Sequence, residues 1–284
     1  MKQNDNLNPL PWYDSLNYQD RFKRYAYGEI FPLITPNWNL LPFQIPRDHV
    51  DSVEFATFDL YYIDGVKYGS ILDQMQENGL QIILGEETDW IVNKMYGSFP
   101  ILLPEGLFYA VMSDGFSTWY SEVFCVCADT SRYLQIEYWC NDDLQNEDGD
   151  TRVIYDGAYR NRIWVDTVMG KPNYDQTEEV ETRDTIQFPE KRISQKQFQF
   201  EFIAPEYLCD AIRAVWLSDH VKVYSEGIEY DCRTFTPEVK WQEDGHYSAI
   251  TVEFEADTVL KRIGSVTDRM RHHDFNDDFN EDYY

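Results

Sequence analysis

Two cysteines one residue apart, Cys125 and Cys127, are the first side chains in this sequence that could do chemistry. In a strand, residues i and i+2 point to one face, so the two thiols would lie side by side. A structural zinc site needs two such pairs, or added histidines at set spacing. No second pair exists, so packing is expected. Residues 141–150 (NDDLQNEDGD) resemble a calcium loop. Aligning Gly149 with the loop's turn glycine puts Leu144 at the first ligand position, where a carboxylate is required. An acidic hairpin loop is expected there instead. His272 and His273 sit in a tail without the rigid scaffold that metal binding or base catalysis requires. His49, His220 and His246 are isolated. The sequence contains no GxSxG, Walker, GxGxxG or HExxH pattern. Carboxylate pairs carry no information in a chain with 51 acidic residues, and Asp64 and Asp114 each precede a glycine in a hairpin signal. The expectation is a protein that is not an enzyme, with no catalytic residue, cofactor or metal.

The formal charge is -27. Such a field repels a phosphate backbone and an anionic bilayer alike, so neither nucleic acid nor membrane is expected as a partner. It favours solubility, or docking on a basic protein surface. No run approaches the ~20 apolar residues of a membrane helix. Residues 1–8 are polar and lack the apolar stretch of a secretory signal. The odd cysteine count (Cys125, Cys127, Cys140, Cys209, Cys232) argues against a disulfide framework. Synthesis and assembly in the cytoplasm are expected.

The elements that would position any site are mostly strands. The 46 aromatic residues (21 Tyr, 17 Phe, 8 Trp) suit a pleated, half-buried surface. Residues 1–48 carry six prolines among Trp12, Tyr13, Phe22, Tyr25, Tyr27, Phe31 and Trp38. Repeated proline blocks helix and central strand, so the segment reads as an extended arm. Its aromatics must lie on something, either the chain itself or a neighbour, and they are the candidate assembly contacts. Deleting the arm is expected to abolish oligomers and leave a folded monomer. Residues 49–130 read as an immunoglobulin-like β domain, with hairpins at Asp64-Gly65 and Asp114-Gly115 and a helical turn ended by Asn78-Gly79. Residues 131–264 read as a second β domain. Phe198, Phe200 and Phe202 share one face of a strand there, and a covering helix spans 204–219 with a stripe of Leu208, Ile212, Val215 and Trp216. Residues 172–184 read as a long polar loop, and further hairpins turn at Glu226-Gly227 and Asp244-Gly245. Residues 265–284 read as an acidic, disordered tail. The fold class expected is mainly β: two antiparallel sandwich-like domains, the second with one covering helix, plus the arm.

Several blocks together resemble structural proteins encoded by phages and prophages of Bacteroidota. They are residues 8–33 (NPLPWYDSLNYQDRFKRYAYGEIFPL), 41–48 (LPFQIPRD), 104–124 (PEGLFYAVMSDGFSTWYSEVF) and 159–174 (YRNRIWVDTVMGKPNY). The most specific are 188–213 (FPEKRISQKQFQFEFIAPEYLCDAIR) and 254–264 (FEADTVLKRIG). The likeness is one of short blocks over most of the chain, and it brings no catalytic motif. It implies a virion component of the tail, baseplate or tail-adaptor region, assembled in the host bacterial cytoplasm. Its partners would be copies of itself, arranged as a ring, and other virion proteins. Exposed Trp and Tyr can also stack on sugar rings, so a carbohydrate- or receptor-binding module is the competing expectation.

Overall fold

The computed structural model describes residues 7–14, 31–48, 54–85, 88–97, 102–155, 159–183, 186–241, 247–256 and 260–263. The protein is mainly β, with 57% strand against 8% helix among the described residues, as its aromatic and β-branched content favours. The N-terminal third contributes β1 (Trp12–Tyr13), β2 (Leu33–Pro36), β3 (Phe43–Asp48), β4 (Thr57–Tyr62) and β5 (Lys67–Ser70), then helix α1 (Leu72–Glu77), β6 (Leu80–Ile83) and β7 (Thr88–Asn93). Next come β8 (Gly106–Ser113), β9 (Thr118–Ser121), β10 (Phe124–Cys127), β11 (Leu134–Trp139), the small ribbon β12 (Leu144–Gln145) with β13 (Thr151–Val153), and β14 (Asn161–Val165). The rest is built from long strands. These are β15 (Asn173–Arg183), β16 (Ile186–Pro205), β17 (His220–Ser225), β18 (Ile228–Trp241), β19 (Tyr247–Ala256) and β20 (Leu260–Ile263), with helix α2 (Glu206–Trp216) between β16 and β17.

One 15-stranded sheet runs through most of the chain in the order β1-β9-β8-β10-β2-β14-β11-β17-β18-β19-β16-β15, with β4 and β5 attached at β8 and β20 at β16. A three-stranded sheet, β3-β7-β6, packs its Phe43, Ile45, Leu80 and Ile91 into the same core as Phe58, Leu60 and Phe108 of the large sheet. The boundary expected near residue 130 is crossed by β2, which is parallel to β10 on one side and antiparallel to β14 on the other. One buried cluster takes in residues from Leu10 to Ala256.

The N-terminal segment is where the structure differs most from expectation. Its described parts are not an arm leaving the body. β1 pairs with β9, β2 is central in the large sheet, and β3 pairs with β7. Its prolines fit because of where they fall. Pro36 ends β2, and Pro46 lies in β3, an edge strand of its sheet, where a missing N–H costs no ladder bond.

The second half follows its hydrophobic pattern. Phe198, Phe200 and Phe202 of β16 are buried with Phe235 of β18 and Ile250, Val252 and Phe254 of β19. α2 covers them with Leu208, Ile212 and Val215. Pro205 precedes the helix in extended geometry, Glu206 lies in its first turn and Arg213 in its last, matching the helix dipole at both ends. The β17–β18 turn has Glu226 at φ 50° and Gly227 at φ 78°. That pair of left-handed residues makes a tight hairpin whose twist suits the flanking strands. No described helix is long and apolar enough to cross a membrane.

One buried group is poorly served. The Tyr138 hydroxyl, on a side chain 0% exposed, has no hydrogen-bond partner among the described residues. Burial, with Tyr155, Tyr159 and Cys140 nearby, pushes its pKa well up, so it stays neutral. Tyr138→Phe keeps the ring and removes the unpaired hydroxyl. It is expected to raise stability by about 1–2 kcal/mol in a urea titration. A loss of stability would show that the hydroxyl is bonded in solution.

Candidate functional site

The candidate assembly residues divide once they are placed. Trp12 is only 8% exposed, its ring 4.7 Å from Phe43 and 5.7 Å from Phe58. It is core, so it is not free to meet a neighbour. Phe31 packs against the main core, with its ring 6.1 Å from Tyr247 and its carbonyl accepting a 3.0 Å bond from the Tyr207 hydroxyl. Trp38 also packs on the core. Its ring lies so near Gly97 that a Cβ there would come within 2.8 Å of it, and Gly97 sits at φ 66°, where glycine is favoured. Of the four that are described, Tyr13 alone is exposed, its hydroxyl 3.5 Å from a Glu122 carboxylate oxygen. Phe22, Tyr25 and Tyr27 lie outside the described residues, as do His49, His246, His272, His273 and the tail at 265–284.

The motifs with chemical promise have structural employment. Cys125 and Cys127 stand side by side on β10 with their Sγ atoms 3.9 Å apart, both half-buried. Burial, and then the neighbouring Cys127, pushes the Cys125 thiol up to about 11. A thiol held protonated at neutral pH is a poor nucleophile. The acidic stretch 141–150 forms the β12–β13 turn. Asn146 Oδ1 accepts from the Asp150 backbone N–H at 2.8 Å, and Asp143 Oδ1 accepts from Tyr155 N–H at 2.8 Å. These oxygens serve the loop's own backbone. His220 stacks on Trp139 at 4.8 Å and is 3.1 Å from Asn141 Oδ1, while the Arg160 guanidinium lies 3.9 Å from the centre of the same indole. Among the described residues, no three His, Cys, Asp or Glu side chains converge as a metal site would require.

The surface feature that the sequence hid is the ribbon of β15 and β16. Residues 172–184, expected as a loop, are mostly strand. β15 pairs antiparallel with β16 from Asn173↔Gln197 to Arg183↔Ile186, with one bulge at Glu179/Val180. At about 3.4 Å per residue, this ribbon is roughly 37 Å long. Residues 173–180 are all exposed, Tyr174 and Val180 among them. Among the described residues, β19 and β20 flank β16 only as far out as Lys191, and beyond that point β16 pairs with β15 alone. Charges match across the ribbon: Lys191 Nζ to Glu179 and Arg192 Nε to Glu178, each at 2.8 Å, with the Lys196 ammonium 5.8 Å from the centre of the Tyr174 ring. Exposed pairs of this kind contribute at most about 1 kcal/mol each, but they fix register. The signal in the sequence was the mirrored placement of Glu178-Glu179 and Lys191-Arg192 about residue 185. Hydrophobic alternation could not reveal a strand whose residues 173–180 are exposed on both faces.

β15 is also the edge of the large sheet. Among the described residues its outer edge pairs with no further strand, and it carries Asp175, Glu178 and Glu179. Acidic side chains discourage indiscriminate strand pairing while leaving the edge available to a matched partner. Compared with models of known protein families and with curated proteins, the chain matches none.

Proposed function

We propose that the chain is a structural subunit of a bacteriophage virion, acting in the tail, baseplate or tail-adaptor region by contact rather than catalysis. It assembles with copies of itself into a ring and with other virion proteins. The virion setting follows from the resemblance of residues 188–213 and 254–264 to phage structural proteins. The observation that carries the contact role is β15, whose residues 173–180 are all exposed at the edge of the large sheet, while beyond Lys191 the described neighbour of β16 is β15 alone. A two-stranded ribbon is marginal in water by itself, and ordering it costs backbone entropy. Contact with a neighbouring subunit offsets that cost. Head-to-tail contacts of this type close into rings when the rotation per subunit allows.

Light scattering of the full chain, alone and with the neighbouring virion proteins, tests this. The expected result is a multi-copy species whose mass falls when residues 180–190 are replaced by Asn-Gly. That replacement closes the ribbon just beyond the Glu179–Lys191 pair and removes none of the residues that form the described core. The melting temperature should stay within about 2 °C of the parent. A parent that is strictly monomeric and joins no particle would sink the reading. An unchanged oligomer in the shortened variant would remove the ribbon from the interface.

A further inference from the structure

The expected stripe on α2 breaks at its last residue, and the break coincides with a groove. Leu208, Ile212 and Val215 turn into the core, but Trp216 stands 61% exposed. The helix is closed immediately after it, with Leu217 N–H donating to Arg213 O and Ser218 N–H to Val215 O. A groove of about 300 Å³ opens here, lined by Trp216, Ser218, Asp219, Arg233, Thr234 and Thr236. That volume is at the lower end of small-molecule sites. Its far wall is shaped by a β-bulge. The β18–β19 register shifts between Cys232 and Thr234, making Arg233 the extra residue. Bulges of this kind re-aim a side chain and recur beside binding sites.

Three polar groups of the groove are held by hydrogen bonds. Asp219 Oδ2 accepts a 2.8 Å bond from Asn141 N–H. Ser218 Oγ donates to Ala214 O at 2.7 Å and is also bonded to the Tyr155 hydroxyl. Thr234 Oγ1 accepts from Glu255 N–H at 3.1 Å and keeps its hydrogen to donate. The lining therefore combines an apolar indole with hydroxyl, carboxylate and guanidinium groups. A ligand suited to both has one face of C–H bonds and a rim of hydroxyls that donate and accept. The chain's -27 charge disfavours anionic ligands.

We propose that this groove binds an uncharged saccharide, with one pyranose ring lying on the indole of Trp216 and its hydroxyls meeting Asp219, Arg233 and Thr234. The site is independent of the ribbon and does not rest on the assembly reading. Saturation-transfer NMR of the full chain, with methyl glycosides of glucose, galactose, mannose and N-acetylglucosamine, tests it. At least one should bind, with a Kd on the order of 1 mM as suits a single ring, and with the strongest transfer to its ring C–H protons. Trp216→Ala should weaken that binding at least tenfold, and Trp216→Phe should retain part of it. Neither should change the melting temperature or the mass in solution, because the side chain is exposed. Binding by none of the four, equal binding by the Ala variant, or preference for sialic acid would each overturn the proposal.

Discussion

Deleting residues 1–48 is expected to yield a chain that does not fold, rather than a monomer lacking an arm. The segment buries Leu10, Trp12, Leu33, Leu40, Leu41, Phe43 and Ile45. At about 1.5–3 kcal/mol for each large apolar side chain, these seven contribute about 10–20 kcal/mol, as much as the roughly 5–15 kcal/mol that separates a typical native state from its unfolded ensemble. The deletion also strips partners from what remains. β10 and β14 lose the strand between them, and β7 loses β3. Gln44 exchanges two bonds with Ile154, its side-chain oxygen accepting from Ile154 N–H at 2.8 Å and its amide donating to Ile154 O. Near-ultraviolet circular dichroism and limited proteolysis read the outcome. A sharp, cooperatively melting monomer would show that the segment is dispensable after all. The simpler expectation, loss of oligomers with the monomer intact, belongs instead to shortening the β15–β16 ribbon.

The second large effect comes from a buried ion cluster. Arg47 on β3 donates from Nη1 to Asp114 at 2.8 Å and from Nη2 to Asp89 at 3.3 Å, with the three side chains 2%, 3% and 0% exposed. It ties the small sheet to the β8–β9 turn. Arg47→Ala leaves two carboxylates without their shared cation in a dry setting, at a cost of about 3–5 kcal/mol. The apolar triple variant Arg47→Met/Asp89→Leu/Asp114→Leu should recover much of that loss, because burying charges was expensive to begin with. Urea unfolding of the single and triple variants decides this. Equal stability of Arg47→Ala and parent would mean that the cluster is solvated.

Asp114 adds a pH signature. Burial by itself pushes its carboxyl up. The backbone N–H groups of Ser117 and Phe116 and the Arg47 guanidinium outweigh that and hold it below the ordinary carboxylate range. A carboxyl lowered on folding stabilises the native state above its unfolded pKa, and the contribution disappears as pH falls through the lowered value. Asp114→Asn should therefore lose stability at neutral pH and show a shallower decline through the acid range than the parent.

Much of the fold was readable where local chemistry and burial agree. Asp64-Gly65, Asp114-Gly115 and Glu226-Gly227 each join the strands expected of them, and the period-two phenylalanines of β16 mark the core face. The helix was found two residues late at its start and three early at its end. What could not be read were strands whose partners are far away or whose faces are both wet. β2 is four residues with no alternation to mark it, and its place in the sheet depends on residues far along the chain. β15 is polar on both sides, so its pattern is that of a loop. Of the groove, Trp216 was visible as an aromatic on a helix, but only the tertiary structure shows it turned outward. Arg233 gave no signal, because a bulge is a property of the pairing and not of the residue.

The central position of β2 also sets a timetable. Leu33 pairs with Phe124, and Ile34 with Trp164. At a synthesis rate of about 5–20 residues per second, β2 waits roughly 90 residues for its first neighbour and about 130 for its second, on the order of 5–25 s. Through that interval an aromatic, proline-broken segment has left the ribosome with no sheet to join. Non-local pairing of this kind is slow even once the partners exist. This segment is thus made well before its partners and is among the last to settle, and it is a stretch on which a ribosome-bound chaperone would act.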